Sequence, residues 1–159
     1  MKKIALMCDS SADITKEEAE KLGIHVLRMP ITINGKEFIE EETISDQDII
    51  EALGQNKSVK TAQPIIGNMT RMWDALLESY DEVFYIPLTK ALSGTCRVAM
   101  GIADQAPYQN RVFVLNSDFV CYPVVHMLLT ARDMFEKGYT CAQAKEKIEQ
   151  EGELFAILI

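Results

Sequence analysis

Apolar and polar positions fall in blocks along this chain, and block length separates strands from helices. Residues 3 to 8, KIALMC, form an apolar run without helical period, short enough for a buried strand. DITKEEAEKLG then offers Thr15 as an N-cap and Gly23 as a stop, which predicts a helix between them. IHVLRMPITI reads as extended, and Asn34-Gly35 followed by KEFIE is a strong hairpin signal. TISDQDIIEALG predicts a short helix ended by Gly54, and Pro64 opens the amphipathic pattern PIIGNMTRMWDALLESY.

The second half repeats one rhythm. EVFYIPL reads as a buried strand, TCRVAMGIADQA as a helix, RVFVLN as a strand, and CYPVVHMLLTARDMFEKG as a helix stopped by Gly138. TCAQAKEKIEQEG adds a surface helix, and ELFAILI is expected to be a further buried strand. Such alternation predicts an α/β fold, a mostly parallel sheet with helices on both faces and a small antiparallel hairpin excursion. Residues 1–159 read as one domain, without repeat, linker or low-complexity tract. An apolar strand at the end of the sequence leads us to expect that these residues are the N-terminal part of a longer protein.

Charge narrows the partners. A formal net charge of -8 gives no reason to approach nucleic acid or an anionic membrane surface, and no apolar stretch is long enough to span a bilayer. The expected ligand is small, or another protein. Cys8, Cys96, Cys121 and Cys141 lack CxxC spacing, so they read as reduced cytosolic thiols rather than a zinc site or redox pair. Cys96, in the first turn of an expected helix, reads as a packing residue.

Three loops that follow expected strands are rich in hydroxyls: DSSAD (Asp9 to Asp13), TKALSGT (Thr89 to Thr95) and NSD (Asn116 to Asp118). TAQP (Thr61 to Pro64) opens another helix. Ser, Thr, Asp and Gly are what helix caps and turns require, so capping is the ordinary account of any one loop. Their coincidence at the carboxyl ends of parallel strands, where open sheets bind ligands, points to a site. A nucleophilic hydroxyl needs a base, but His25 sits in an extended run, His126 sits among Val124, Val125, Met127 and Leu128, and Lys90 reads as a solvated loop residue. An aspartyl nucleophile at Asp9 lacks a second carboxylate two residues on, since position 11 is Ser11. A metal held by Asp9 and Asp13 in a phosphatase or related hydrolase stays open as an alternative. Neither GxxxxGK[ST] nor GxGxxG occurs, so no cofactor is expected. What remains is a passive cradle of hydroxyls and helix N-termini suited to a carboxylate.

DSSAD, the NG hairpin, TAQP, LSGT and NS, in this order along the whole chain, resemble the DegV family of bacterial fatty-acid-binding proteins. The resemblance implies a two-domain α/β carrier enclosing one acyl chain, of which this chain covers the first domain. It implies a cytoplasmic, non-catalytic protein that presents a long-chain fatty acid to a separate fatty acid kinase for phospholipid synthesis. Thr61 and Ser93 are the implied carboxylate donors and Gly94 and Thr95 shape the turn, with Ser10, Ser11, Gln63 and Ser117 expected at the pocket edge. Ala62 replaces a usual serine and Asn116 a usual aspartate, while Tyr122 and Pro123 are expected to narrow or reroute the tail's path. Without its second domain the fragment is expected to bind poorly and to self-associate through the surface left open.

Overall fold

The computed structural model describes residues 2–152, so the strand expected over 153–159 lies outside the described residues. In chain order the elements are β1 (Ile4–Asp9), α1 (Lys16–Leu22), β2 (Ile24–Leu27), β3 (Pro30–Ile33), β4 (Lys36–Ile39), α2 (Asp46–Gly54) and β5 (Val59–Thr61). Then follow α3 (Ile66–Leu77), β6 (Glu82–Ile86), α4 (Thr95–Ala103), β7 (Val112–Val114), α5 (Tyr122–Glu136) and α6 (Cys141–Gly152). The main sheet is parallel with strand order β2-β1-β6-β7, and Leu6 of β1 stands between Ile24 and Phe84.

Alternate side chains of the two central strands feed opposite cores. Leu6, Cys8, Phe84 and Ile86 pack against α1, α5 and α6, while Ala5, Met7, Val83 and Tyr85 pack against α3 and α4. A strand covered on both faces gains nothing from polar alternation, which is why KIALMC and EVFYI read as unbroken apolar runs. The expected fold class is the observed one. No helix among the described residues is long and apolar enough to cross a membrane.

The run IHVLRMPITI is not one strand. It crosses between sheets: β2 ends in the parallel sheet, and β3 begins at Pro30 as the middle of a three-stranded antiparallel sheet, order β4-β3-β5. The switch occurs where the Met29 N–H donates to Ser10 Oγ at 2.9 Å instead of to a neighbouring strand, and where Pro30 has no N–H to give. The NG turn is as expected, with Asn34 and Gly35 both at positive φ (49° and 84°). Strand β5 carries no apolar alternation and pairs with β3 through Thr61 opposite Ile31. Its ladder brings the TAQP segment to the main domain.

Candidate functional site

Because β1, β6 and β7 run parallel, the segments that follow them emerge on one edge. Capping chemistry divides the helices into two kinds. Helices α1 and α2 start with complete capping boxes, Thr15 with Glu18 and Ser45 with Asp48. Helices α3, α4 and α5 have no side-chain cap on Ile65, Gly94 or Cys121. At α4 the Thr95 N–H goes to Ser93 Oγ, and at α3 and α5 the Asn68 and Val124 N–H groups go to the Ile65 and Cys121 carbonyls, so only the remaining first-turn N–H groups lack a partner of this kind among the described residues.

Ser93 and Thr95 form the tightest hydroxyl pair of this edge. Their oxygens stand 2.8 Å apart, and the Thr95 N–H donates to Ser93 Oγ at 3.2 Å. When the Thr95 hydroxyl donates as well, both Ser93 lone pairs are engaged and its proton is left for a ligand. Such a hydroxyl gives a hydrogen bond and makes a poor nucleophile. The turn is held from beneath by buried Thr89, whose carbonyl accepts from the Leu92 and Ser93 N–H groups at 3.1 Å each. Gly94 is where TAQP meets LSGT: a Cβ there would lie 2.7 Å from Gln63 Nε2. Ser93, Gly94, Thr95 and Gln63 are thus together. Thr61 lies two residues before Gln63, exposed at the end of β5, and its hydroxyl has no hydrogen bond among the described residues.

The DSSAD residues have another task. Asp9 is fully buried, and its Oδ2 accepts from the Leu88 N–H at 2.7 Å. Its Oδ1 accepts from the Ser11 N–H at 3.1 Å and from the Ser11 hydroxyl. Burial pushes the Asp9 carboxyl up, against the pull of these donors. The Ser11 carbonyl accepts from the Cys121 N–H at 2.7 Å, and Ser10 Oγ takes the Met29 N–H. Cys121 is held at φ 59° and ψ −149°, a region that side chains rarely occupy. Ser117 is also buried, turned toward the Phe119 carbonyl, and Asn116 Oδ1 lies 3.7 Å from the buried Cys96 Sγ. Asp9, Ser10, Ser11 and Ser117 frame the edge rather than line an opening.

Among the described residues, no histidine, lysine or carboxylate hydrogen-bonds to Ser93 or Thr95. His25 is half-buried with Nε2 3.3 Å from Tyr80 Oη, and burial pushes its pKa down. His126 is exposed on α5, and Lys90 is exposed beside the Ser93 turn. Burial raises the Cys96 thiol's pKa, with Lys145 and Lys90 pulling it down and Glu149 and Asp9 pushing it up. Asp13 caps the turn after β1 in a left-handed conformation, exposed, while Asp9 points inward. The two do not form a metal pair, and no group of three or more His, Cys, Asp or Glu among the described residues could hold a metal ion. The hydrolase alternative finds no support.

The edge is also apolar at its rim. Ile65 and Ile66 (52% and 51% exposed), Leu92 (71%) and Tyr122 (59%) stand out at the starts of α3, α4 and α5. Tyr122 and Pro123 lie on the surface at the first turn of α5, where they border an open face. A cleft of about 570 Å³ opens at the opposite end, between Leu22, Phe135 and Tyr139. The sequence reading missed this rim, although its signal was present in apolar residues inside otherwise polar loops, as in QPII and KALSG.

Comparison with known proteins matches residues 3–154 to the family model described as "Uncharacterised protein, DegV family". A DegV domain-containing protein of Listeria monocytogenes is 29% identical over 150 residues, covering 93% of this chain and 53% of that protein. DegV of Bacillus subtilis, described as a fatty acid binding protein, superposes with a TM-score of 0.78 at 27% identity, covering 97% of this chain and 54% of its own. A DegV family protein from Thermus thermophilus, described by its fatty acid binding, gives a TM-score of 0.81 at 24% identity over 95% and 54% of the two chains. The chain spans about half the length of the curated relatives it matches.

Proposed function

The chain belongs to the DegV family, and from that premise we propose that it is the head-group-binding domain of a fatty-acid carrier. Ser93 and Thr61 donate hydrogen bonds to the carboxylate, Gly94 and Thr95 shape the turn, and Gln63 sets the spacing between the two motifs. The acyl chain leaves across Ile65, Ile66, Leu92 and Tyr122. The observation that carries this reading is the Ser93–Thr95 hydroxyl pair, on an edge where α3, α4 and α5 start without a side-chain bond from their N-cap residues and where no histidine, lysine or carboxylate among the described residues hydrogen-bonds to the pair. Fatty acid binding by the Bacillus subtilis relative supports the ligand class.

The rest of the function follows from passivity. A carboxylate held by neutral donors keeps an oxygen free for chemistry elsewhere, so the carrier works in the cytoplasm as the non-catalytic partner of a fatty acid kinase that feeds phospholipid synthesis. Burying an acyl chain at about 0.8 kcal/mol per methylene, roughly 10 kcal/mol for fourteen, outweighs about 1.5–3 kcal/mol for each hydrogen bond from a hydroxyl to the charged head group. The tail holds and the hydroxyls orient. The second α/β domain of the family, or a second copy of this chain, covers the apolar rim and encloses the tail.

Native mass spectrometry tests the ligand: a discrete fatty-acid increment that organic extraction removes is expected. Ser93→Ala is expected to keep most of the lipid while shifting the carboxyl resonance of bound carboxyl-¹³C myristate toward its free value. Absence of any increment, together with no myristate binding by the purified chain, would overturn the proposal.

A further inference from the structure

The carboxyl edge is built from four segments that do not adjoin in sequence, and the short turn Asp9 to Ser11, fixed by the Asp9 side chain, ties them. Asp9 Oδ2 receives the Leu88 N–H from the segment carrying Ser93, 79 residues away. Asp9 Oδ1 receives both donors of Ser11, which fixes the turn whose carbonyl receives the Cys121 N–H at the start of α5. The adjoining Ser10 receives the Met29 N–H, where the chain leaves for the sheet that carries Thr61. From this geometry we propose that Asp9 is a positioning residue for head-group binding: its buried carboxylate holds the Ser93 turn in register with the starts of β3 and α5.

This inference rests on the carrier reading and deepens it. Asp9 does not touch the ligand and acts through Leu88 and Ser11. A carboxylate is required because all three donors must meet acceptor atoms. Asparagine has the same shape but only one acceptor oxygen, so in either orientation its amide faces a backbone N–H, of Leu88 or of Ser11.

The test uses the full chain and two probes with the same tail, myristate and 1-tetradecanol. Asp9→Asn is expected to lower myristate affinity by roughly tenfold, the loss of about one hydrogen bond to a charged group, while tetradecanol affinity stays within about twofold. Amide exchange at Leu88 and Cys121 should accelerate while Phe84 and Ile86, inside β6, keep their protection. Ser11→Ala, which removes one donor and leaves the carboxylate, should act in the same direction with smaller effect should Asp9→Asn fail to fold. Equal loss of both probes, or acceleration of every amide alike, would overturn the inference by reducing Asp9 to a fold-stability role. A wild-type preference for myristate that both variants retain overturns the inference alone. A wild type with no such preference overturns the carrier reading and the inference with it.

Discussion

Replacing Gly94 by alanine perturbs the junction of the two motifs and little else. The backbone there, at φ −71° and ψ −11°, is open to any residue, so alanine brings no strain and gains about 0.4–1 kcal/mol from a less flexible unfolded chain. As the residue before α4, alanine is a poorer N-cap than glycine by roughly 0.5–1 kcal/mol. These offset, and the melting temperature should stay within about 4 °C. The new Cβ, however, would lie 2.7 Å from Gln63 Nε2, which must withdraw to the 3.4 Å or more of an ordinary contact. Gln63 is exposed and its amide is the far end of a flexible side chain, so it can yield cheaply. TAQP then loses its register on Ser93, and a carboxylate spanning Thr61 and Ser93 gives up one charge-assisted hydrogen bond. At about 1.5–3 kcal/mol that is roughly a ten- to hundredfold loss of myristate affinity. Calorimetric titration beside thermal unfolding by circular dichroism reads both quantities. Unchanged myristate affinity at unchanged melting temperature would refute the claim that the Gln63–Gly94 contact sets the spacing, and a large fall in melting temperature would refute the claim that Gln63 gives way.

Trp73→Ala removes a fully buried ring that meets Tyr85 and Tyr108 edge to face, and should cost about 3–5 kcal/mol in denaturant unfolding. Cys8, Cys96 and Cys141 are buried and Cys121 is exposed, with burial raising the Cys8 pKa to about 12, so a thiol reagent should titrate one group in the native protein and four after unfolding. A tail half-covered by an open face should gain about twofold in affinity per methylene from decanoate to myristate, against about fourfold when enclosed. Dilution should convert the steeper dependence to the shallower if a second copy supplies the cover.

The elements that could be read in the sequence are those whose cause is local. Thr15 with Glu18, Ser45 with Asp48 and the Asn34-Gly35 turn each carry their own geometry; the Thr15 cap and the Asn34-Gly35 turn formed as read, and the helix read over TISDQDIIEALG starts on Ser45. The periodless runs of β1 and β6 announced strands covered on both sides, hence helices on both faces. What could not be read depends on pairing across distance. Strand β5 is a polar three-residue segment that exists because β3 offers it a ladder, and β2 and β3 separate because Ser10 diverts the Met29 N–H. Asp9 is the sharpest case. As the first polar residue after a buried run it reads as a loop cap, or with Asp13 as a metal ligand, and only the arrival of Leu88 accounts for its turning inward. The one local sign was the pair of serines behind it.

This division explains how a site can be passive and still exact in geometry. Hydroxyls that serve as caps or bury themselves, as at Thr15, Ser45 and Ser117, have their hydrogen bonds fixed by the fold and offer nothing to a guest. Ser93 differs because the Thr95 N–H donates to its oxygen and, when the Thr95 hydroxyl donates as well, its own proton is unclaimed, a state that survives only while the turn keeps its place. A histidine in reach would take the proton and make the oxygen reactive. Instead, the buried carboxyl of this edge lies under the loops at Asp9, engaged by the Leu88 and Ser11 N–H groups and the Ser11 hydroxyl. Polar strength is therefore invested in rigidity, and the hydroxyl pair proposed to meet the carboxylate is itself neutral. That arrangement favours orientation over reaction, as the proposed hand-over to a separate phosphorylating partner would require.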